Sequence, residues 1–186
     1  MSHLLRARVL LVVTVALGAV ALGAEPIPAE VSERFARGLR LFSAGNAQAA
    51  ATEFEYVRAR LPRPSVTYNL ALVYAELGQP AESVAMADVV LAEPGTLSAD
   101  RLAKLKSVRE AQLQKLGELV IHSDVPGVEV EIGGKVVGHT PFAAPVRVPT
   151  GRVFVGGQAP RRKPAFAEAQ VTSQRQVDVT LQLAPL

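Results

Sequence analysis

The chain has 186 residues, 20 basic and 17 acidic side chains, and no cysteine. Without thiols there is no disulfide, no thiolate metal site and no cysteine nucleophile, so the fold must be held by packing alone. A formal charge of +3 without a large basic stripe excludes the electrostatic footprint of a nucleic-acid binder.

The first 24 residues have the pattern of an export signal. Arg6 and Arg8 form a positive start, and Val9–Leu22 is apolar or small at every position except Thr14. A run of about 14 residues suits a signal core and falls short of the roughly 20 that cross a bilayer as a helix. Small residues place cleavage after Gly23 or after Ala24. A lipoprotein signal would need cysteine next, and Glu25 stands there, so no stable membrane anchor is expected after signal removal. Loss of Arg6 and Arg8 takes the charge from +3 to +1. Residues 25–30, with Pro26 and Pro28, read as a linker.

From residue 31 to 116 the apolar positions recur at helical spacing. Gly45-Asn46-Ala47-Gln48-Ala49-Ala50 is echoed 33 residues later by Gly78-Gln79-Pro80-Ala81-Glu82-Ser83. Each glycine follows one amphipathic stretch and precedes another. Helical pairs are therefore predicted over 31–43 with 47–61 and over 65–77 with 80–92, closed by Pro62 and Pro64 and by Pro94 and Gly95. A long closing helix is predicted over 98–116, with Leu102, Leu105, Val108, Leu113 and Leu116 near one face. Gly117 suits the residue after a helix C-terminus, where positive φ is needed.

The period and the residues Tyr68-Asn69-Leu70-Ala71-Leu72-Val73-Tyr74, Leu77-Gly78 and Ala81-Glu82-Ser83-Val84 resemble the tetratricopeptide repeat. The first unit resembles it through Gly38, Leu41, Gly45, Ala50 and Phe54. The resemblance implies a groove that binds a protein or peptide, lined by Phe35, Leu39, Phe42, Tyr68, Asn69, Leu72 and Glu76. Phe35 and Leu39 stand where some relatives carry the polar groups that clamp a carboxylate, so an apolar helix or an extended peptide suits the surface better.

Residues 117–186 change to valine, glycine and alternation. Val128, Val130 and Ile132 interleave with Glu129 and Glu131, and Val177, Val179, Leu181 and Leu183 with Asp178, Thr180 and Gln182. Gly133-Gly134 fits a two-residue hairpin turn. About seven short strands favour a small antiparallel sandwich. Pro126-Gly127-Val128, Gly138-His139-Thr140-Pro141 and the segment Val148–Val155 resemble the PEGA domain, a bacterial β-sandwich module. Gly156-Gly157-Gln158 departs from the Gly-Tyr pair usual there. The whole reads as α+β in two modules, helical repeats then a β-sandwich. The combination implies an exported adaptor or scaffold of the bacterial envelope, periplasmic or secreted.

Chemistry is weakly represented. His122-Ser123-Asp124 invites a catalytic reading, but adjacent strand side chains point to opposite faces, and triads are assembled from distant segments. His139 reads as a solvated turn residue. His122 and His139 without thiols make a poor metal set. No catalytic residue, metal or cofactor is expected. Glu129 and Glu131 read as the solvated face of a strand. Arg161-Arg162-Lys163, with Arg152 and Arg175 nearby, is the one basic cluster. It supports an alternative in which the β-domain binds peptidoglycan or a surface glycan.

Overall fold

The computed structural model describes residues 27–186. The export signal with its cleavage positions Gly23 and Ala24 lies outside the described residues. Five helices come first: α1 (Ala29–Ser43), α2 (Ala47–Arg60), α3 (Pro64–Glu76), α4 (Pro80–Ala92) and α5 (Ala99–Leu113). Seven strands follow: β1 (Leu116–Ser123), β2 (Glu129–Ile132), β3 (Lys135–His139), β4 (Val146–Pro149), β5 (Gly151–Gln158), β6 (Ala165–Val171) and β7 (Gln176–Leu181). Among the described residues no helix is long and apolar enough to cross a membrane.

The 33-residue repeat is also a repeat of hydrogen bonds. At the end of α1, Ala44 N–H donates to Arg40 O, Gly45 N–H to Phe42 O and Asn46 N–H to Leu41 O. At the end of α3, Leu77, Gly78 and Gln79 donate to Val73, Ala75 and Tyr74 in the same pattern. Both turns require a left-handed residue, and Gly45 (φ 77°) and Gly78 (φ 68°) supply it. The next helix then starts on a good signal. The Asn46 side chain accepts from Ala49 N–H, and Pro80 occupies the first turn of α4, where a missing N–H costs nothing.

Packing inside the two hairpins exchanges large for small at matched positions. Gly38 on α1 faces Phe54 on α2, and a Cβ at Gly38 would stand 2.8 Å from the Phe54 ring. The residues 33 positions later are Ala71 and Ala87, both fully buried. A ring against a bare backbone and methyl against methyl both fill their layer, as close-packed interiors require. Ser83, also fully buried, donates its hydroxyl to Ala71 O at 2.8 Å and ties α4 to α3.

The strands form two sheets, β4-β1-β7 and β3-β2-β5-β6. Leu119, Ile121, Val128, Val130, Val155, Val179, Leu181 and Leu183 fill the space between them. Every strand pair is antiparallel except β1–β7, which is parallel and runs Glu118↔Gln176 to Ser123↔Leu181. Gly133 and Gly134 both have positive φ in the β2–β3 turn.

Element ends shift by a few residues from expectation. α1 starts at Ala29, inside the expected linker. α5 ends at Leu113, and Leu116 already pairs with Pro149 in β1. Gly117 is accordingly a strand residue and not a helix cap. Its small size serves close approach: a Cβ there would lie 2.4 Å from Thr172 O and 2.5 Å from Val171 Cγ1. The last strand stops at Leu181, two residues short of Leu183.

The modules meet along α4 and α5. Asp88 on α4 accepts from Arg109 on α5 and, at 2.7 Å, from Arg147 on β4. Lys135 reaches Glu82 at 3.3 Å, and Ser173 donates to Gln114 O at 2.7 Å. Thr150 N–H donates to Lys115 O and Gln174 N–H to Leu116 O, so backbone bonds also bracket the junction.

Candidate functional site

A groove of about 360 Å3 runs between α1, α3 and α5. Phe42 comes from α1, Leu72, Ala75 and Glu76 from α3, and Lys104, Val108 and Gln112 from α5. Its lining mixes apolar side chains with one acid and one base. Its geometry follows from the hairpins, because the first helix of each pair faces the same side and α5 takes the place of a third. Gln112 is 6 % exposed, and its Oε1 is buried without a hydrogen-bond partner. A buried amide in that state costs about 1–3 kcal/mol.

Three of the seven expected lining residues, Phe42, Leu72 and Glu76, are in this groove. Phe35 packs against Phe54, ring centroids 5.7 Å apart, and lines a small apolar cleft at the other end of α1 with Val31, Val57 and Val66. Tyr68 is buried with Ala71, Ala87, Val90 and Leu105, under the Arg101 guanidinium at 5.6 Å. Asn69 donates back to Ser65 O at 2.8 Å. Leu39 is exposed outside the groove. The expected groove took in no residue of α5, because the resemblance assigns the lining to the first two repeats alone. Lys104, Val108 and Gln112 at four-residue spacing share one helical face, and a glutamine closing that stripe was the available signal.

The basic cluster does not converge. Arg162 donates to Leu183 O at 3.1 Å, while Lys163 N–H donates to Ala184 O and Leu186 N–H to Arg161 O. This loop holds the C-terminal residues in place. Arg152 lies at the opposite end of the β5–β6 hairpin, paired with Glu168 at 3.0 Å, and Arg175 sits in the β6–β7 turn. The expected proximity of Arg152 and Arg175 to the loop is therefore corrected: the hairpin's length separates them.

His122, Ser123 and Asp124 also diverge. His122 Nε2 is 3.0 Å from Asp178 Oδ1 on the exposed face. Ser123 Oγ instead donates to Val125 O and lies 2.9 Å from Thr140 Oγ1. Asp124 Oδ1 accepts from Leu183 N–H. His139 lies 3.8 Å from Glu129 at the edge of the sheet. Among the described residues no three His, Asp or Glu side chains gather as a metal site.

Thr140 is the centre of a structural knot. Its Oγ1 accepts from Val128 N–H at 3.1 Å, its N–H donates to Val128 O, and its carbonyl accepts from Gly127 N–H. A buried hydroxyl and its backbone thereby fasten the Pro126-Gly127 turn to the end of β3, which gives the Gly-His-Thr-Pro sequence its physical reason. Residues 116–186 match the family model of the PEGA domain. The PEGA region thus begins with β1 and takes in the whole two-sheet unit, and five helices precede it. No curated protein matches the chain.

Proposed function

We propose that the protein is an exported, non-catalytic adaptor of the bacterial envelope. Its helical module is of the tetratricopeptide type and binds an extended peptide or helix of a partner protein in the α1–α3–α5 groove. The observation that carries this is the groove itself, which sets apolar Phe42, Leu72 and Val108 beside the charged pair Glu76 and Lys104. Apolar side chains of the partner would supply the affinity, and the two charges would set direction and register. The PEGA region supports the envelope setting, and its Asp88–Arg147 contact holds it beside the groove module as a spacer.

A photo-crosslinking residue at Leu72 in the producing cells tests this reading. A discrete protein adduct is expected at Leu72 and not at exposed Arg40, and Val108→Glu should abolish it. Equal labelling at Leu72 and Arg40, or an adduct indifferent to Val108→Glu, would sink the groove reading. An adduct confined to cytoplasmic proteins would sink the envelope setting.

A further inference from the structure

The outer face of the β3-β2-β5-β6 sheet carries a second surface, apart from the helical groove. Val153, Val155, Ala167 and Ala169 point inward along β5 and β6, so Phe154 and Phe166 point outward and are 60 % and 81 % exposed. The register sets Phe154 opposite Glu168 and Phe166 opposite Gly156. The two rings are therefore diagonal neighbours on adjacent strands, roughly 7–8 Å apart at the backbone. Phe166 leans over Gly156: its Cε1 lies 3.4 Å from where a Cβ at that position would stand. Glu131 pairs with Gly156 from the other side, and its Cβ is 3.9 Å from the same point. The result is an exposed patch in which the Phe166 ring covers the bare backbone of Gly156, with Glu131 on its other side and Phe154 diagonal to it. Two other carboxylates on this face have neighbours, Glu168 with Arg152 at 3.0 Å and Glu129 with His139 at 3.8 Å. Glu131 has no hydrogen-bond or ion-pair partner among the described residues.

We propose that this patch receives a cationic side chain, lysine or arginine, presented by a partner protein. The faces of both phenylalanine rings carry partial negative charge, and Glu131 adds a full one. A cation on the exposed Phe166 ring, beside Glu131, meets ring and carboxylate together, the arrangement that favours cation–π contact. A second copy of the chain does not fit. A two-fold contact places the same patch on itself and would set carboxylates against carboxylates. A neutral sugar could stack on the rings and donate a hydroxyl to Glu131, and a citrulline-for-arginine peptide and a chito-oligosaccharide separate the two occupants.

The test is a titration of the purified, 15N-labelled chain with a synthetic peptide of alternating arginine and leucine, read at the Gly156 and Phe166 amides. Saturable shifts centred on those amides are expected. Glu131→Gln and Phe166→Ser, both at exposed positions, should each weaken binding about three- to tenfold. The same peptide with citrulline for arginine should not bind. Glu131→Lys should instead bind a glutamate–leucine peptide, a gain of function that misfolding cannot produce. Equal binding of the citrulline peptide would overturn the proposal, as would indifference to Glu131→Gln. Shifts of these amides with a chito-oligosaccharide, and none with the arginine peptide, would make the face a glycan surface and overturn it too.

Discussion

Asp88 bridges the two modules through two arginine side chains. It accepts from Arg109 within the helical module and from Arg147 across the junction, with side-chain exposures of 37 %, 29 % and 38 % respectively. Exposed pairs contribute about 0.2–1 kcal/mol each, and charge-assisted bonds at partial burial lie at the upper end of that range. Asp88→Ala should therefore cost about 2 kcal/mol, since it also leaves two guanidinium groups facing each other. Asp88→Asn, which keeps one acceptor oxygen, should cost about 1 kcal/mol. Urea unfolding of Asp88→Ala, Arg147→Ala and the double variant gives the coupling across the junction, expected near 1 kcal/mol. The pH dependence follows from the same contacts. Partial burial alone would raise the Asp88 carboxyl, but hydrogen bonds and charge from Arg109 and Arg147 outweigh it and hold it below its ordinary value. A depressed carboxyl stabilises the fold above its unfolded pKa, about 3.9, and loses that contribution as pH falls through the folded value. The gap between the native chain and Asp88→Asn should thus be constant near neutrality and close below about pH 4. A coupling under about 0.3 kcal/mol, or a gap that persists unchanged in acid, would refute the assignment of Asp88 as the bridge.

Gly38→Ala should cost about 1–3 kcal/mol in chemical unfolding through the clash with Phe54, and Phe54→Leu should recover part of it by making room. Gly117→Ala should cost about 3 kcal/mol or more, because the contact at 2.4 Å is with backbone that cannot rotate away. Thr140→Val keeps the volume but leaves Val128 N–H without the hydroxyl, a loss of about 1–3 kcal/mol visible as a lower thermal midpoint. His122→Ala should change stability by less than about 0.5 kcal/mol, since the His122–Asp178 contact is exposed.

Much of the architecture was legible because its signals are local. Gly45 and Gly78 mark turns whose hydrogen bonds span five residues or fewer, so a 33-residue echo in the sequence becomes an identical echo in the backbone. The alternation of Val128, Val130 and Ile132 with Glu129 and Glu131 assigns strand faces before any partner strand is known. Alternation within β5 and β6 turns Phe154 and Phe166 outward, although it does not by itself bring them together. That took the β5–β6 register and the bare backbone at Gly156 between the ring and Glu131.

The two modules, their order, their turns and the inward set of each element were thus determined by the sequence itself, through periodicity and residues that permit only certain backbone angles. Only the tertiary structure decided which elements meet. Parallel pairing of β1 with β7 joins residues 58 positions apart, and α5 becomes a groove wall by packing on α3 and α4, with Leu105 buried between them. Tyr68 fills that core while Phe42 and Leu72 line the groove, although all three satisfy the same helical period. The physical reason is that periodicity specifies which side of an element is apolar, whereas a binding surface is whatever part of that side no other element covers.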